Sequence, residues 1–268
     1  MNIYGNRTVK FLIWRLILRN PRFRRVLQKM LFGSGEREIS LIGQPLTIDA
    51  QEEIGYRRAA DAQTHNIVFR DEIPQMMSVM SFLEAGATFV DIGANVGLWT
   101  INAASILQLM GRGRVISVEA NPDTFARLSR NVARFSNVDA FNVALSDQAG
   151  ELTFYGGAAS GVFSVQRGPF NTGETRVIAS VTFDSLEQPL GRVIVKIDVE
   201  GHELAVLRGM RKLLASDGLR AIFIDQFDVS TAAEITELLK DYTFFDGRTR
   251  QPIEEVTRSI PLLAVRKN

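Results

Sequence analysis

Three groups of residues in this chain have the types and spacing for chemistry. Asp91, Gly93 and Gly97 form a D-x-G-x-x-x-G pattern. Glu119 follows 26 residues after Gly93, and Asp198-Val-Glu-Gly-His-Glu203 gathers three carboxylates and an imidazole within six residues. The first group reads as a tight turn through Gly93, Ala94 and Asn95 that lets a ligand approach the backbone, because glycine has no Cβ and accepts positive φ. It is not a dinucleotide fingerprint, since Asn95 and Leu98 stand at the second and third glycine positions. It is not a phosphate loop either, since no Lys follows Gly97. A carboxylate beside such a turn disfavours a pyrophosphate and suits a positively charged ligand.

An acid one helix and one strand further on, where Glu119 stands, accepts hydrogen bonds from ribose hydroxyls in nucleotide-binding α/β folds. A cationic nucleoside without phosphate meets both demands, and S-adenosylmethionine has an ammonium, a sulfonium and an adenosine. The run Asp198–Glu203 supplies bases for a proton leaving an acceptor. His202 has the right unperturbed pKa, Glu203 and Glu200 are its rivals, and Asp198 suits orienting the amino-acid end of the cofactor or the acceptor. Asp198, Glu200 and Asp225 are an alternative set for Mg²⁺. Without Cys, and with only His65 and His202, no zinc site is expected, and no metal ligand is assigned.

The elements that position these groups follow from pattern. The apolar run Ala87–Ile92 predicts a strand with Asp91 at its carboxyl end, and Val96–Leu109 a helix, the opening unit of a nucleotide-binding sheet. Arg114–Glu119 is a second strand. Asn121-Pro122-Asp123 caps a helix to about Phe135, with Pro near its first turn. Val138–Leu145 is a third strand, and Arg192–Asp198 a fourth, apolar enough to be buried on both faces. A helix to about Leu214, a strand Leu219–Asp225, a helix Thr231–Lys240, and strands Tyr242–Phe245 and Leu262–Val265 complete the alternation. Upstream, Pro74–Glu84 reads as a helix with Met76, Met77, Met80 and Leu83 on one face. Residues 150–183 break the pattern with three short antiparallel strands, Glu151–Tyr155, Gly161–Val165 and Arg176–Phe183, an insertion suited to cover the crevice.

Composition sets the frame. The 268 residues are 46% hydrophobic and 23% charged, as in a globular α/β protein. The net charge is +1, yet residues 1–35 carry eight basic residues and no acid, which leaves the rest at −7. An acidic body disfavours a nucleic-acid substrate. Residues 1–32 read as a basic amphipathic helical arm, interrupted at Pro21. It either packs on the domain or lies on an anionic membrane surface. Its apolar runs are too short to span a bilayer, and no signal-peptide cleavage site follows. Gly33–Gly43 reads as a linker, with a short strand at Leu46–Ile48 beyond it. The expected division is residues 1–60 as arm and linker and 61–268 as the catalytic domain.

Val90-Asp-Ile-Gly-Ala-Asn-Val-Gly97, Val118-Glu-Ala-Asn-Pro122 and Val195-Lys-Ile-Asp-Val-Glu-Gly-His-Glu203, in this order, resemble the FkbM family of S-adenosylmethionine-dependent methyltransferases. Asn142–Asp147 and Thr182–Leu186 resemble its linking segments. The resemblance covers roughly residues 70–265. It implies a class I methyltransferase fold, a Rossmann-like, doubly wound, seven-stranded sheet with an antiparallel last strand. It implies cofactor contacts at Asp91, Gly93, Ala94, Asn95 and Gly97, ribose contact at Glu119, and Asn142 near the adenine. Family members methylate oxygen atoms, often sugar hydroxyls of lipids, polysaccharides or natural products. Asp225 stands where the family often has Glu, and residues 1–60 lie outside the shared pattern. The expectation is a cytoplasmic O-methyltransferase for a glycan or glycolipid hydroxyl, in possible peripheral contact with the membrane through residues 1–32. The alternative is a non-catalytic S-adenosylmethionine binder or membrane-recruited scaffold.

Overall fold

The structure is a computed structural model that describes residues 30, 33–61, 68–157, 163–165, 171–188 and 190–267. The expected basic arm, Met30 apart, lies outside the described residues, as does His65.

The chain opens with a hairpin, β1 (Glu36–Leu41) and β2 (Gln44–Asp49), paired in register from Glu36↔Asp49 to Leu41↔Gln44. The two-residue turn Ile42-Gly43 has φ of 46° and 77°, the double positive φ that matches strand twist. The expected linker is therefore half strand. Its alternation of Glu36, Glu38 and Ser40 with Arg37, Ile39 and Leu41 is a period-two pattern hidden by its polarity. Helix α1 (Ile54–Ala60) follows. A π-helical turn (Val68–Glu72) then leads into α2 (Ile73–Met80). Met76 and Met80 are buried there, but Met77 faces solvent, against the expected stripe.

The body alternates as expected: β3 (Thr88–Ile92), α3 (Leu98–Leu109), β4 (Arg114–Val118), α4 (Pro122–Val132) and β5 (Val138–Phe141). The third strand then leaves the main sheet. Asn142 turns the chain, and β6 (Ala144–Leu145) pairs parallel with β9 instead. The insertion forms β7 (Gly150–Gly157), β8 (Phe163–Ser164) and β9 (Asn171–Val181), which with β6 make a second sheet in the order β6-β9-β7-β8. The chain returns through β10 (Val193–Ile197), α5 (Glu203–Arg208), α6 (Arg211–Leu214), β11 (Leu219–Ile224), α7 (Ala232–Leu238), β12 (Tyr242–Asp246), β13 (Pro252–Ile253) and β14 (Leu262–Arg266). The expected single helix to Leu214 is split at Gly209, where a Cβ would lie 2.0 Å from the Ser146 carbonyl oxygen.

The main sheet runs β13-β12-β14-β11-β10-β3-β4-β5. Strands β5, β4, β3, β10 and β11 are parallel, and β14 inserts antiparallel between β11 and β12. Seven strands follow the expected plan, and the two-residue β13 adds an eighth at the edge. Period-two alternation gives this sheet two apolar faces. Phe89, Val115, Ile194 and Phe223 meet α2, α3 and α4 on one face. Val90, Ile116, Val195 and Ile222 meet α5 and α7 on the other. Each fully buried aliphatic or aromatic side chain contributes roughly 1.5–3 kcal/mol, so the three-layer arrangement is what the sequence can least avoid. It brings the carboxyl ends of β3, β4, β10 and β11 to one edge, where open α/β sheets bind ligands.

Candidate active site

The register sets the floor of the site. Asp91 pairs with Lys196 on one side and Ser117 on the other, so a row of polar side chains crosses an otherwise apolar face. Asp91 is fully buried. Its Oδ1 lies 3.2 Å from Lys196 Nζ, and its Oδ2 accepts from Thr100 Oγ1 at 2.7 Å. Lys196 also donates to the Gly93 carbonyl at 2.6 Å and lies 3.5 Å from Asp198 Oδ2. Burial alone would lower the lysine pKa, but Asp91 and Asp198 hold it charged and move the net shift upward.

Above this floor the turn Gly93-Ala94-Asn95 leaves the sheet. The amides of Gly93 and Ala94 both donate to the Val118 carbonyl, at 2.9 and 3.0 Å. Gly93 has φ 74°, and a Cβ on it would lie 1.8 Å from the Asp198 carbonyl oxygen. Its lack of a side chain therefore serves a backbone-to-backbone approach. Gly97, with φ 95°, clears Leu128 on α4, which an added Cβ would meet at 2.7 Å. Asn95, with φ 51°, donates its amide to Glu119 Oε2 at 2.9 Å, while Glu119 Oε1 accepts from Asn121 N at 2.9 Å. Burial raises the Glu119 pKa, and those two amides oppose the rise.

A cleft with about 890 Å³ of empty space, its open mouth included, lies over the turn. Gly93, Asn95, Glu119, Asp198, Glu200 and His202 line it; Asp91, Ala94, Gly97 and Asn142 do not. Asp91 lies beneath, in the Lys196 pair. Asn142 braces the Glu119 loop, its Nδ2 donating to the carbonyls of Glu119 and Ala120 at 2.9 and 3.1 Å. Apolar walls come from Val118, Val143, Leu145, Val199 and, from the insertion, Phe154 and Val165.

The Asp198–Glu203 run divides. Glu203 is buried, and its Oε1 accepts from the Gly201 amide at 2.9 Å, which fixes the loop. His202 Nε2 lies 3.0 Å from Ser146 Oγ, beside β6, and its burial depresses its pKa. Glu200, with φ 53°, turns the other way and accepts from Gln226 Nε2 at 2.8 Å, beyond the end of β11. Burial, then the neighbouring Asp198, Glu203 and Asp225, lift its pKa to about 7. Near the same end, Tyr56 of α1 donates to Glu72 Oε1 at 2.7 Å, and burial lifts Glu72 to about 7. Among the described residues no group of three or more His, Cys, Asp or Glu is arranged to hold a metal ion.

Sequence reasoning missed Glu52 and Glu53, which also line the cleft. Both pair with Arg127 of α4, Glu53 at 2.9 Å, and Glu53 also accepts from the Asp49 amide at 2.6 Å. The lining thus holds Glu52, Glu53, Glu119, Asp198 and Glu200, and among the described lining residues there is no Lys or Arg. Such a cleft repels phosphate and suits a cationic ligand with an apolar ring.

A central parallel sheet with one antiparallel strand let in, a glycine turn and a strand-end acid define a class I S-adenosylmethionine-dependent methyltransferase fold. The chain belongs to the FkbM methyltransferase family: the profile of the Methyltransferase FkbM domain matches residues 91–245. This is a methyltransferase domain whose methyl donor is S-adenosylmethionine. A curated relative, the hexuronic acid methyltransferase AglP of Haloferax volcanii, is 32% identical over 176 residues, 59% of this chain and 69% of that protein. The crystal structure of an FkbM methyltransferase from Methylobacillus flagellatus is similar with a TM-score of 0.47 and 17% identity over 69% of this chain. The match spans 45% of that protein's length. A TehB-like S-adenosylmethionine-dependent methyltransferase from Corynebacterium glutamicum also has a TM-score of 0.47, with 12% identity, over 81% of this chain and 98% of its own. Among the described residues no helix is long and apolar enough to cross a membrane.

Proposed function

We propose that the protein transfers a methyl group to a sugar hydroxyl, on a glycan or glycolipid, with Glu200 as the general base. S-adenosylmethionine supplies an electrophilic methyl carbon on a sulfonium. Glu119 is assigned to the ribose hydroxyls, for its two oxygens keep lone pairs beyond the two amides they already accept. Val143, Leu145 and Val199 are assigned to the adenine face. Asp198, held near Lys196, orients the amino-acid end or the acceptor.

The observation that carries the base assignment is that Glu200 and His202, two residues apart, bond to different neighbours, Gln226 beyond β11 and Ser146 beside β6. His202 bonds to Ser146, within the Asn142–Asp147 segment assigned to the nucleoside. Glu200 reaches the end of β11, away from that segment, with a carboxyl whose pKa of about 7 suits proton transfer near neutrality. It takes the acceptor hydroxyl proton as the oxygen–methyl bond forms and the sulfonium–methyl bond breaks. The sugar class is supported by the relative named as a hexuronic acid methyltransferase. Contact of residues 1–32 with an anionic membrane would bring a lipid-linked acceptor to the site, and the eight basic residues of the N-terminal stretch support it.

The test is methyl transfer from labelled S-adenosylmethionine to a panel of neutral, amino and acidic glycosides and a glycolipid extract, with the product located by mass spectrometry. A methyl ether on a sugar oxygen is the expected product, lost in Glu200→Gln. Donor binding without turnover on the whole panel would favour a non-catalytic binder. A methylated nitrogen or carbon would overturn the acceptor class.

A further inference from the structure

Residues 33–60 precede the family-matched stretch 91–245, yet they build one wall of the cleft. Asn131 of α4 fastens β2 to the donor turn: its Oδ1 accepts from Thr47 N at 2.7 Å, and its Nδ2 donates to the carbonyls of Thr47 and Val96 at 3.0 and 2.8 Å. Next to that fastening, Glu52 and Glu53 line the cleft with Arg127 between them. Glu53 and Arg127 are buried, while the Glu52 side chain keeps 34% exposure. At about pH 8, where Glu53 is ionised, two carboxylates against one guanidinium leave the group at −1, facing a cleft already lined by Glu119, Asp198 and Glu200.

We propose that Glu52, Arg127 and Glu53 form a charge-selecting element of the donor pocket, which favours the sulfonium of S-adenosylmethionine over the neutral thioether of its product. The inference rests on the donor pocket described above. Donor and product share adenosine, ribose and amino acid. They differ by one methyl group and one positive charge, so the effects of a net-negative wall on the amino-acid charges they share cancel in the ratio and its attraction for the sulfonium remains. A recessed cleft with low-dielectric walls focuses that field more than an open surface does. The element therefore sets how readily the spent cofactor is exchanged for a fresh one. It does so from a part of the chain where no family motif stands.

The experiment is calorimetry on the full chain at about pH 8, above the value of about 7 to which burial lifts Glu53. S-adenosylmethionine and S-adenosylhomocysteine are titrated separately. Glu52→Gln is expected to weaken the donor by about three- to ten-fold and leave the product nearly unchanged. Glu52→Asp, which keeps the charge, restores the ratio. An equal loss for both ligands would make Glu52 a plain polar contact, and no change in either would remove it from the pocket; both outcomes overturn the proposal. Should the wild type bind neither ligand, the donor-pocket reading itself falls. Should Glu52→Gln not fold, the wild type is titrated from about 50 to about 500 mM salt. The donor is then expected to weaken and the product to hold, and parallel behaviour overturns the proposal.

Discussion

Lys196 and Asp91 face each other as register partners on adjacent parallel strands, 3.2 Å apart between Nζ and Oδ1, with the lysine side chain 4% exposed and the aspartate side chain 0%. A charge pair this deep is a poor source of stability in itself, but removing one member leaves the other buried and uncompensated, which costs about 3–5 kcal/mol. Lys196→Met is therefore expected to lower unfolding free energy by about that amount, and to release the Gly93 carbonyl from its 2.6 Å bond. Asp91→Asn added to Lys196→Met should recover much of the loss. Denaturant unfolding of the two single variants and the double would measure this, and additive losses would contradict it.

The two glycines of the turn after β3 predict different costs. Gly93→Ala places a methyl against the Asp198 backbone, which has no flexible end to move, and adds about 1–2 kcal/mol for positive φ in a residue with a Cβ. Gly97→Ala carries the same positive-φ strain, but its one close contact, at 2.7 Å, is the flexible end of Leu128 rather than backbone. Gly93→Ala is expected to lower the melting temperature markedly, and Gly97→Ala less. Equal melting temperatures for Gly93→Ala and wild type, with donor binding alone lost, would return Gly93 to a purely ligand-facing role.

For catalysis, single-turnover rates of the wild type should fall on the acid side of about pH 7 as Glu200 takes up a proton. Glu200→Gln should lower the rate by about a hundred-fold or more and abolish that limb. His202→Ala should keep the limb and act mainly on donor affinity. A limb that disappears in His202→Ala and survives in Glu200→Gln would exchange the two assignments.

Stability should also depend on pH with a definite sign. Burial lifts Glu53, Glu72 and Glu200 from 4.5 to about 7, and Asp225 from 3.8 to about 6. The folded chain then holds protons that the unfolded chain has released, so this contribution is full below about pH 4 and is lost as pH rises to about 7. His202, depressed by burial, works in the opposite sense below 6.5. Burial also raises Glu119 and Glu203, and six carboxyls against one imidazole predict a lower melting temperature at about pH 8 than at about pH 5. Glu72→Gln should flatten the curve. A flat wild-type profile would show these carboxyls to be well solvated.

Much of this was legible in the residues because periodicity and motif agreed. The strand-end positions of Asp91, Glu119 and Asp198 follow from apolar runs of strand length, and the antiparallel last strand from two strands with no helix between them. Roles were less legible than places. Gly93 reads as a gap for a ligand, and the structure adds the Asp198 carbonyl against it; Asp91 reads as a ligand contact, and the register adds Lys196 beside it. Glu52 and Glu53 carried no signal at all. They stand in no periodic pattern, and only the hairpin's attachment to α4 brings them to the cleft. His202 and Glu200 are two residues apart in sequence, so no reading of spacing alone could give one Ser146 and the other Gln226 as partner.

The three hydrogen bonds of Asn131 bear on how this molecule would come apart. They bind the Thr47 backbone and the Val96 carbonyl to one amide that is itself 4% exposed. Peeling the hairpin away would exchange the two Thr47 bonds for bonds to water, at roughly 0.5–1.5 kcal/mol each, and would open Arg127 to solvent. The hairpin and the turn after β3 are therefore expected to open as one unit. Their amides should exchange with deuterium at a shared rate, and an excised 91–245 fragment would begin life already partly unfolded.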